Sequence, residues 1–553
     1  MKIHPLLKHI DSHDFLSDYL TKCGVKDVDE YLHADLSICD SPWDYPNMMT
    51  GVNRLKRALD LNQKIGVIVD EDHDGYTSAS IMYMFIKKMN PDHDVVPLFH
   101  KSKAHGIVVN KEENMVQEAI NQGIKLLICP DSASNDDVQA HELRLNGVCC
   151  LILDHHEVNK IIHYGILINH HEGNGLNVHL SGCGVTHKFI LACAETWGVD
   201  LGDSYYDLVA SSIVSDNCSM VTPENLALIR YGFTHMTNPM LIAMYDKFNR
   251  RGNSPIGVAW GTAPHVNAIT RAGTMEEKHL LFKAFVGEAD IDEAIKMATA
   301  VHKRQSDAVK QLVKEIEPNI DDSHKVLIGF SDAENKNYSG LVANKLTGAY
   351  GKPTLILRPM GDKKWSGSLR SPVDIADKIN ATNLAFCQGH KAACGIYIWR
   401  SNLKKLIKWF DKSKLDMEPS KEVASIITPS DIKLPLCHAC SDDMLLWGGS
   451  SAAKVVQPKF FIEFDSKPSD VVVFAKRTKT VRFNFPNGSS MLKFMAKSED
   501  VEMLQEQNCH VQAIVTLSVN EWNGTESAQC QVDEWEIKPI EEDEFEESWE
   551  DVF

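Results

Sequence analysis

No run of apolar residues in this 553-residue chain approaches the roughly 20 needed to span a bilayer, so no membrane contact is expected. The opening residues, MKIHPLLKHIDSHDF, lack the charged head, apolar stretch and small-residue cleavage site of a secretory signal. A cysteine framework is also missing. Fourteen cysteines scattered without regular spacing fit a reducing compartment, where they act as small buried hydrophobes. The expected location is cytoplasmic. The one close pair, Cys437 and Cys440 in LCHACSDD, lacks the second half of a zinc site and reads as ordinary packing or a loop.

Positive charge is in deficit as well. A formal net charge of −19 excludes a protein that coats nucleic acid uniformly, although local basic patches can still bind it. Part of the excess is confined to the end: EEDEFEESWEDVF holds eight acids and no base, leaving −11 for the remainder. That segment is expected to be solvated, with docking of a partner protein as a sharper possibility.

What is present is an alternation of helical patterns with buried strands. KIGVIV, DVVPLF, IKLLIC and VCCLIL are apolar runs separated by helical segments, the pattern of a mostly parallel sheet covered on both faces. Residues 1–50 read as an N-terminal extension of short helices. A first α/β domain spans 51–274, a helical connector 275–320, and a second α/β domain 321–424 with Gly-rich WSGSLRSP and CQGHKAACG. Short alternating strands over 425–540 predict a small β-barrel, and 541–553 is the acidic tail.

Open α/β sheets place ligands at the carboxyl ends of their strands. Here GVIVDEDHDGY delivers Asp70, Asp72 and Asp74, IKLLICP leads to Asp131, and VCCLIL leads to Asp154, His155 and His156. Asp216 in SSIVSDNCSM is a fourth, helix-borne carboxylate. A single Asp at such a place is usually a helix cap. Four clusters packed together would repel strongly unless divalent cations held them, and oxygen donors with one or two imidazoles suit Mn²⁺ or Mg²⁺.

In order and spacing, Asp-x-Asp-x-Asp-Gly, a lone Asp, Asp-His-His and a further Asp resemble the DHH phosphoesterase superfamily, and within it the RecJ-like 5′→3′ single-strand exonucleases. SGCGVTHKF resembles the Gly-rich helix start of that group, and WGTAPHVNAITRAG its Pro-Arg-x-Asn-Ala-x-Gly-Arg segment, with His265 and Thr270 as departures. WSGSLRSP and CQGHKAACG resemble the two motifs of the DHH-associated domain, the latter departing at Cys387 and Cys394. VTLSVNEWNGTESAQCQVDEWEI resembles the last strands of an oligonucleotide-binding barrel. The resemblance implies two α/β domains, DHH and DHH-associated, joined by a long helix and followed by an OB-like barrel.

It also implies that Asp70, Asp72, Asp74, Asp131, His155 and Asp216 hold two Mn²⁺ or Mg²⁺ ions. Successive side chains of an extended backbone diverge, so His156 is expected to face the scissile phosphate while Asp154 orients a ligand histidine. His73 reads as a spacer. Arg370, Ser368 and Ser371 suit a phosphate grip, and Gly389 and His390 are expected to open a helix whose N-terminus receives an anion. Asn267 and Arg271 are expected on the substrate backbone, with Lys101 and Lys103 near the 5′ end. In the barrel, Lys476, Arg477, Lys479 and Arg482 would follow phosphates and Phe483 or Phe485 would stack on bases. The implied function is metal-dependent exonucleolysis of single-stranded DNA from the 5′ end to mononucleotides, in recombination, repair or replication, with the acidic tail docking a single-strand-binding or recombination protein or returning onto the DNA channel. The alternatives are a phosphodiesterase of short oligonucleotides or cyclic dinucleotides, and a non-catalytic DNA-binding subunit.

Overall fold

The computed structural model describes residues 1–10, 14–101, 104–249, 252, 254–332, 336–414, 421–474 and 479–540, the side chains of Lys336 and His390 excepted. Lys103, Lys476, Arg477 and the tail 541–553 therefore lie outside the described residues. No helix among the described residues is long and apolar enough to cross a membrane.

The four apolar runs form strands β1 (Ile65–Val69), β2 (Val95–Phe99), β3 (Leu126–Pro130) and β4 (Cys149–Leu153), and Gly165–Ile168 adds β5. They lie in the order β2-β1-β3-β4-β5, all parallel. Parallel strands need crossovers, which place helices on both faces and leave β1 and β3 buried at every residue. Helix α1 (His73–Met89) leaves the end of β1. Helices α2 (Gly182–Trp197) and α3 (Tyr206–Ser215) pack against it and against each other.

Helices α4 (Ala263–Ala272), α5 (Met275–Phe285) and the 26-residue α6 (Ile291–Ile316) lead to a second sheet. Its strands are β6 (Leu327–Phe330), β7 (Thr354–Met360), β8 (Lys364–Arg370), β9 (Ala385–His390) and β10 (Ala393–Trp399), ordered β9-β10-β8-β7-β6. Only β6 and β7 are parallel; the others are antiparallel, so this unit is mixed. Helix α7 (Ser339–Tyr350) and helix α8 (Leu403–Lys412) join cores separate from that of the first sheet.

CQGHKAACG opens no helix, contrary to expectation. Gly389 and His390 end β9, Lys391 and Ala392 form the turn, and Ala393 begins β10. The flanks AFCQ and ACGIYIW alternate more and less buried positions, and that period-2 pattern outweighs the small residues between them.

The third sheet has strands β11 (Ser425–Ile427), β12 (Lys459–Ser466), β13 (Val471–Phe474), β14 (Thr480–Asn484), β15 (Ser490–Lys493), β16 (Cys509–Trp522) and β17 (Thr525–Pro539). They run in the order β11-β12-β16-β17-β15-β14-β13, with β11 and β13 as edges among the described residues. The strands expected from the sequence are there, arranged as a seven-stranded mixed sheet. Phe483 is core, 5.3 Å from Phe464 and 1% exposed, so it is not available to bases. Cys437 and Cys440 are buried in the helix Leu434–Ser441 and belong to none of the clusters able to hold a metal among the described residues.

The N-terminal residues are no loose extension. Ile3–Pro5 pairs in parallel with Lys421–Val423, Phe15 lies 5.5 Å from Phe460, and the Tyr19 hydroxyl donates to the Val456 carbonyl at 3.1 Å. Asp40 is clasped from beneath: its carbonyl accepts from Lys188, and its N–H donates to Glu224 at 3.2 Å. Lys188 and Glu224 are both buried and pair at 2.6 Å. Glu224→Ala should strand the ammonium and destabilise the protein by about 3–5 kcal/mol, read as a fall in melting temperature. Lys188→Met combined with Glu224→Leu should recover most of it.

Candidate metal centre

β1 ends on Asp70, and the backbone turns at once into α1, with Asp72 as N-cap accepting from the Gly75 N–H at 3.0 Å. Gly75 is required by proximity: a Cβ there would stand 2.6 Å from the Cβ of Asp70 and 2.7 Å from its carbonyl oxygen. Asp74, in the first turn of α1, points at the start of α2. It accepts from the N–H groups of Gly182 and Cys183, both at 2.8 Å, and from the hydroxyls of Ser212 at 2.8 Å and Ser78 at 3.2 Å. A carboxylate so placed neutralises the positive end of α2 and ties three helices together.

β3 ends on Asp131, held in the left-handed region at φ 58° with its N–H on the Leu153 carbonyl at 2.8 Å. Gly182 lies against it so closely that a Cβ would approach Asp131 Oδ1 to 2.3 Å. β4 delivers Asp154, His155 and His156, and Asp216 closes the end of α3. The sequence-separated groups thus converge at one edge of the first sheet. Ligand atoms of Asp70, Asp72 and Asp131 lie within 4.8 Å of one another, as do those of His155, Asp216 and Cys218. His155 Nε2 stands 3.2 Å from Asp131 Oδ1, 3.7 Å from Asp216 and 4.0 Å from Asp74. Neither His155 Nε2 nor Asp131 Oδ1 makes a hydrogen bond, though both are buried. Two unpaired atoms of this kind facing one another fit a cation between them. Carboxylates with one imidazole make a hard-donor set suited to Mn²⁺ or Mg²⁺.

Asp154 is fully buried and serves the DHH tripeptide itself. One oxygen accepts from the His155 N–H at 2.7 Å and from His156 Nδ1 at 2.8 Å; the other accepts from the Ser134 N–H at 2.9 Å. It therefore orients His156 through the ring, rather than His155. His73 is no spacer: it is buried, its Nε2 is 2.7 Å from the Ser211 hydroxyl, and its N–H donates to the Asn267 side chain at 3.2 Å.

Sequence reasoning missed a histidine rim. His105 Nδ1 is 2.9 Å from Asp70, and the Gly106 N–H donates to it at 3.2 Å. The buried His100 bridges Asp70 at 3.4 Å and Glu113 at 3.3 Å. The rings of His105 and His156 are 4.4 Å apart. The available signal was position: both follow β2, whose end lies at the same sheet edge as the acidic strand ends.

Burial pushes the Asp131 carboxyl far above its ordinary range, and the charges of Asp74, Asp72, Asp70 and Asp216 add to this. Asp216 is raised to about 7, chiefly by burial, with His155 opposing and Asp74 adding. Burial would also raise Asp70, but His105 and His100 outweigh it and hold that carboxyl below the usual range. For His156, burial acts downward and the bond and charge of Asp154 outweigh it, leaving the ring raised. Without cations the cluster is electrostatically frustrated.

Of the expected substrate-side residues, Asn267 and Arg271 sit on α4 beside the centre. The Arg271 Nε is buried without a partner, and desolvation lowers its pKa against the pull of Asp72 and Glu71. Arg370 ends β8, its Nη1 on the Leu369 carbonyl at 2.8 Å, its pKa lowered by burial despite Cys394 and further by the neighbouring Arg271. One guanidinium from helix α4 and one from the second sheet thus approach each other. The Ser368 hydroxyl meets Ser339 at 2.9 Å, and Ser371 accepts from the Val373 N–H at 3.2 Å in a turn. Gly389, at φ 120°, lies against Cys394 on the neighbouring strand, with the backbone of His390 beside it. Exposed Lys101 reaches the Glu112 carbonyl at 3.4 Å.

Residues 64–213, the stretch that holds all but the last of the expected cation ligands, match the DHH family, N-terminal domain. The chain has a DHH domain and is RecJ-like. Over 95% of its length it is 25% identical to the SPbeta prophage-derived YorK of Bacillus subtilis, covering 96% of that protein, whose designation as a single-strand DNA-specific exonuclease is itself provisional. It is 22% identical to the single-stranded-DNA-specific exonuclease RecJ of Bacillus subtilis, across 97% of this chain and 70% of that one. The crystal structure of Thermus thermophilus RecJ in complex with Mn²⁺ superposes with a TM-score of 0.75 at 18% identity, covering 98% of this chain and 79% of the other. Its Mg²⁺ complex gives 0.69 at 17% identity, with coverages of 98% and 78%. This chain therefore shares, over nearly all of its own length, the fold of about four fifths of the Thermus RecJ chain.

Gly182→Ala should displace Asp131 and lower Mn²⁺ affinity by tenfold or more in titration calorimetry. Asp74→Asn should cost about 1–3 kcal/mol of stability, because an amide N–H₂ would face backbone donors. Asp216→Asn, which removes one of the repelling charges, should leave the melting temperature of the cation-free protein unchanged or raised.

Proposed function

We propose that this protein is a divalent-metal-dependent exonuclease that hydrolyses single-stranded DNA from the 5′ end to mononucleotides. The carrying observation is the convergence of Asp131 Oδ1 and His155 Nε2, buried and unpaired, with Asp70, Asp72 and Asp216 at one sheet edge. Asp70, Asp72 and Asp131 would hold one Mn²⁺ or Mg²⁺ ion, and Asp131, His155 and Asp216 a second. Asp74, with both oxygens engaged by donors, acts as the brace that sets α2 beside them. The Thermus RecJ complexes with Mn²⁺ and Mg²⁺ support this choice of cation. When bound, such ions supply an activated water and offset the charge that builds on the phosphodiester.

The chain's own residues do the rest. Asp154 accepts a hydrogen bond from His156 Nδ1 and favours the imidazolium form, whose Nε2–H would face the phosphate as proton donor or electrostatic stabiliser. Arg271 and Arg370 would take a phosphate between the first and second sheets, which the repulsion between their bare guanidiniums favours. Asn267, Ser368, Ser371, Gly389, His390 and Lys103 would line the path of the strand. The division at 51–274, 275–320, 321–424 and 425–540 gives a catalytic unit, a connector, a strand-holding unit and an OB-like strand-binding unit, with Lys479 and the exposed Arg482 on the last. Similarity that runs through the third sheet favours a long polymer over a dinucleotide. The retained set of cation donors favours an enzyme over a binding subunit. Degradation polarity, and a role in recombination, repair or replication, rest on the resemblance to RecJ.

Single strands labelled at either end, incubated with Mn²⁺, should release labelled mononucleotide first from the 5′ end, and chelation should stop it. Asp131→Ala should reduce the rate by about a hundredfold or more while strand binding persists. Equal loss from both ends, or full activity in that variant, would contradict the assignment.

A further inference from the structure

Between residues 351 and 412 the chain carries twelve Lys or Arg against four Asp or Glu, a surplus of eight positive charges in a protein of net −19. That segment builds β7 to β10 and α8. Its sheet has one face on which cross-strand rows can be read from the register. Gln388, Gly395, Ser368 and Ile356 form one row; Phe386, Tyr397, Ser366 and Arg358 form the next; Trp399, Lys364 and Met360 form the third. Side chains of alternate residues share a face, so Arg370 is on this face too, one row beyond Ser368. Helix α7 covers that near end, where a Cβ on Gly340 would stand 2.8 Å from Arg370 Nη2 and 3.6 Å from Ser368 Oγ.

The far end is bare. Phe386 is 57% exposed, Tyr397 43% and Trp399 49%, on the two neighbouring strands β9 and β10. Lys364 Nζ rests over the Trp399 ring at 4.4 Å from its centroid. A cleft of about 300 Å³ opens beside them, lined by Lys364, Phe386, Tyr397 and Trp399 together with Asn380 and Asn383. Three large aromatic rings about half exposed on neighbouring strands are unfavourable to the free protein. A polyanion with π faces satisfies both the rings and the surplus charge. Aromatics on adjacent strands of an open sheet take up two or three unstacked bases, while lysine and arginine track the backbone.

We infer that the open end of this face, built on Phe386, Tyr397, Trp399 and Lys364, is a stacking platform for bases of a single-stranded nucleic acid. It rests on the single-strand reading above and extends it, because the platform lies six residues along β8 from Arg370, about 20 Å away. It engages nucleotides outside the span between Arg271 and Arg370 and makes affinity depend on strand length.

The test uses the full-length chain in an Asp131→Ala background with Mn²⁺, and fluorescein-labelled oligo(dT) of 4 to 20 nucleotides, read by anisotropy. Trp399→Ala and Tyr397→Ala should each weaken binding of the 20-mer five- to 150-fold, about 1–3 kcal/mol per stacked base. Trp399→Phe should recover most of that loss, and Lys364→Glu should weaken binding and flatten its salt dependence. The loss should grow with oligonucleotide length. Unaltered affinity for the 20-mer in the alanine variants would overturn the platform, as would a loss that is the same at every length or one traced to unfolding by circular dichroism. Cleavage by the otherwise wild-type chain is scored separately. A protein that binds oligo(dT) through these rings yet cuts nothing overturns the nuclease reading alone, and one that cuts but ignores these substitutions overturns the platform alone.

Discussion

Negative charge packed at one sheet edge is the constraint on which the rest of this structure depends. Asp70, Asp72, Asp131 and Asp216 arrive from three strand or helix ends, the first and third buried and the others half-buried, with one imidazole facing Asp131 and Asp216. Such a group is stable only if something else opposes its repulsion, and the fold supplies partial remedies around its border. The start of α2 receives Asp74, the histidines at 100 and 105 receive Asp70, and N–H groups with His156 receive Asp154. The facing atoms of the interior pair, Asp131 Oδ1 and His155 Nε2, have no hydrogen-bond partner. The border is compensated and the middle is left for cations, an arrangement that prepares the site to bind them and that costs stability when they are absent.

This division also explains which parts of the site could be read from sequence. An apolar run ending in acids is a local pattern, so the three strand ends were visible from GVIVDEDHDGY, LLICPD and LILDHHE alone. The different surroundings of neighbouring acids were not. Asp72 and Asp74 are two residues apart and chemically identical, yet Asp72 caps its own helix through the Gly75 N–H, whereas Asp74 meets the N–H groups at the start of α2, more than a hundred positions later. The histidine rim was missed for a related reason: VVPLFHKSKAHG ends β2 without a carboxylate, so nothing local marks it as part of the same edge.

Fold errors followed the same rule. The pairing of Ile3–Pro5 with Lys421–Val423 joins segments over four hundred residues apart, and no periodicity in either announces it. CQGHKAACG was misread because Gly and Ala suggested a helix start where a two-residue turn was needed between alternating strands. Four strands of the first sheet, the long connector and six strands of the third sheet were legible, since each carries its own hydrophobic pattern, whereas the short strands Gly165–Ile168 and Ser425–Ile427 were not. The pairing order of that last sheet was not, as it is set by contacts between distant strands.

The charge distribution links the two α/β units. A polyanion approaching the acidic first unit would be repelled at any distance within a Debye length, about 10 Å at moderate salt. Approach is favoured instead over the second unit, where the surplus of lysine and arginine lies. From there Arg370 and Arg271 form a positive corridor leading toward Asp72, which the Arg271 charge already attracts. Cations at the acidic edge would complete that corridor, converting the one repulsive stretch of the route into its most attractive point. On the proposed function, substrate capture and metal binding would be coupled by electrostatics alone: the same ions that relieve the carboxylates would make the centre accessible to a phosphate.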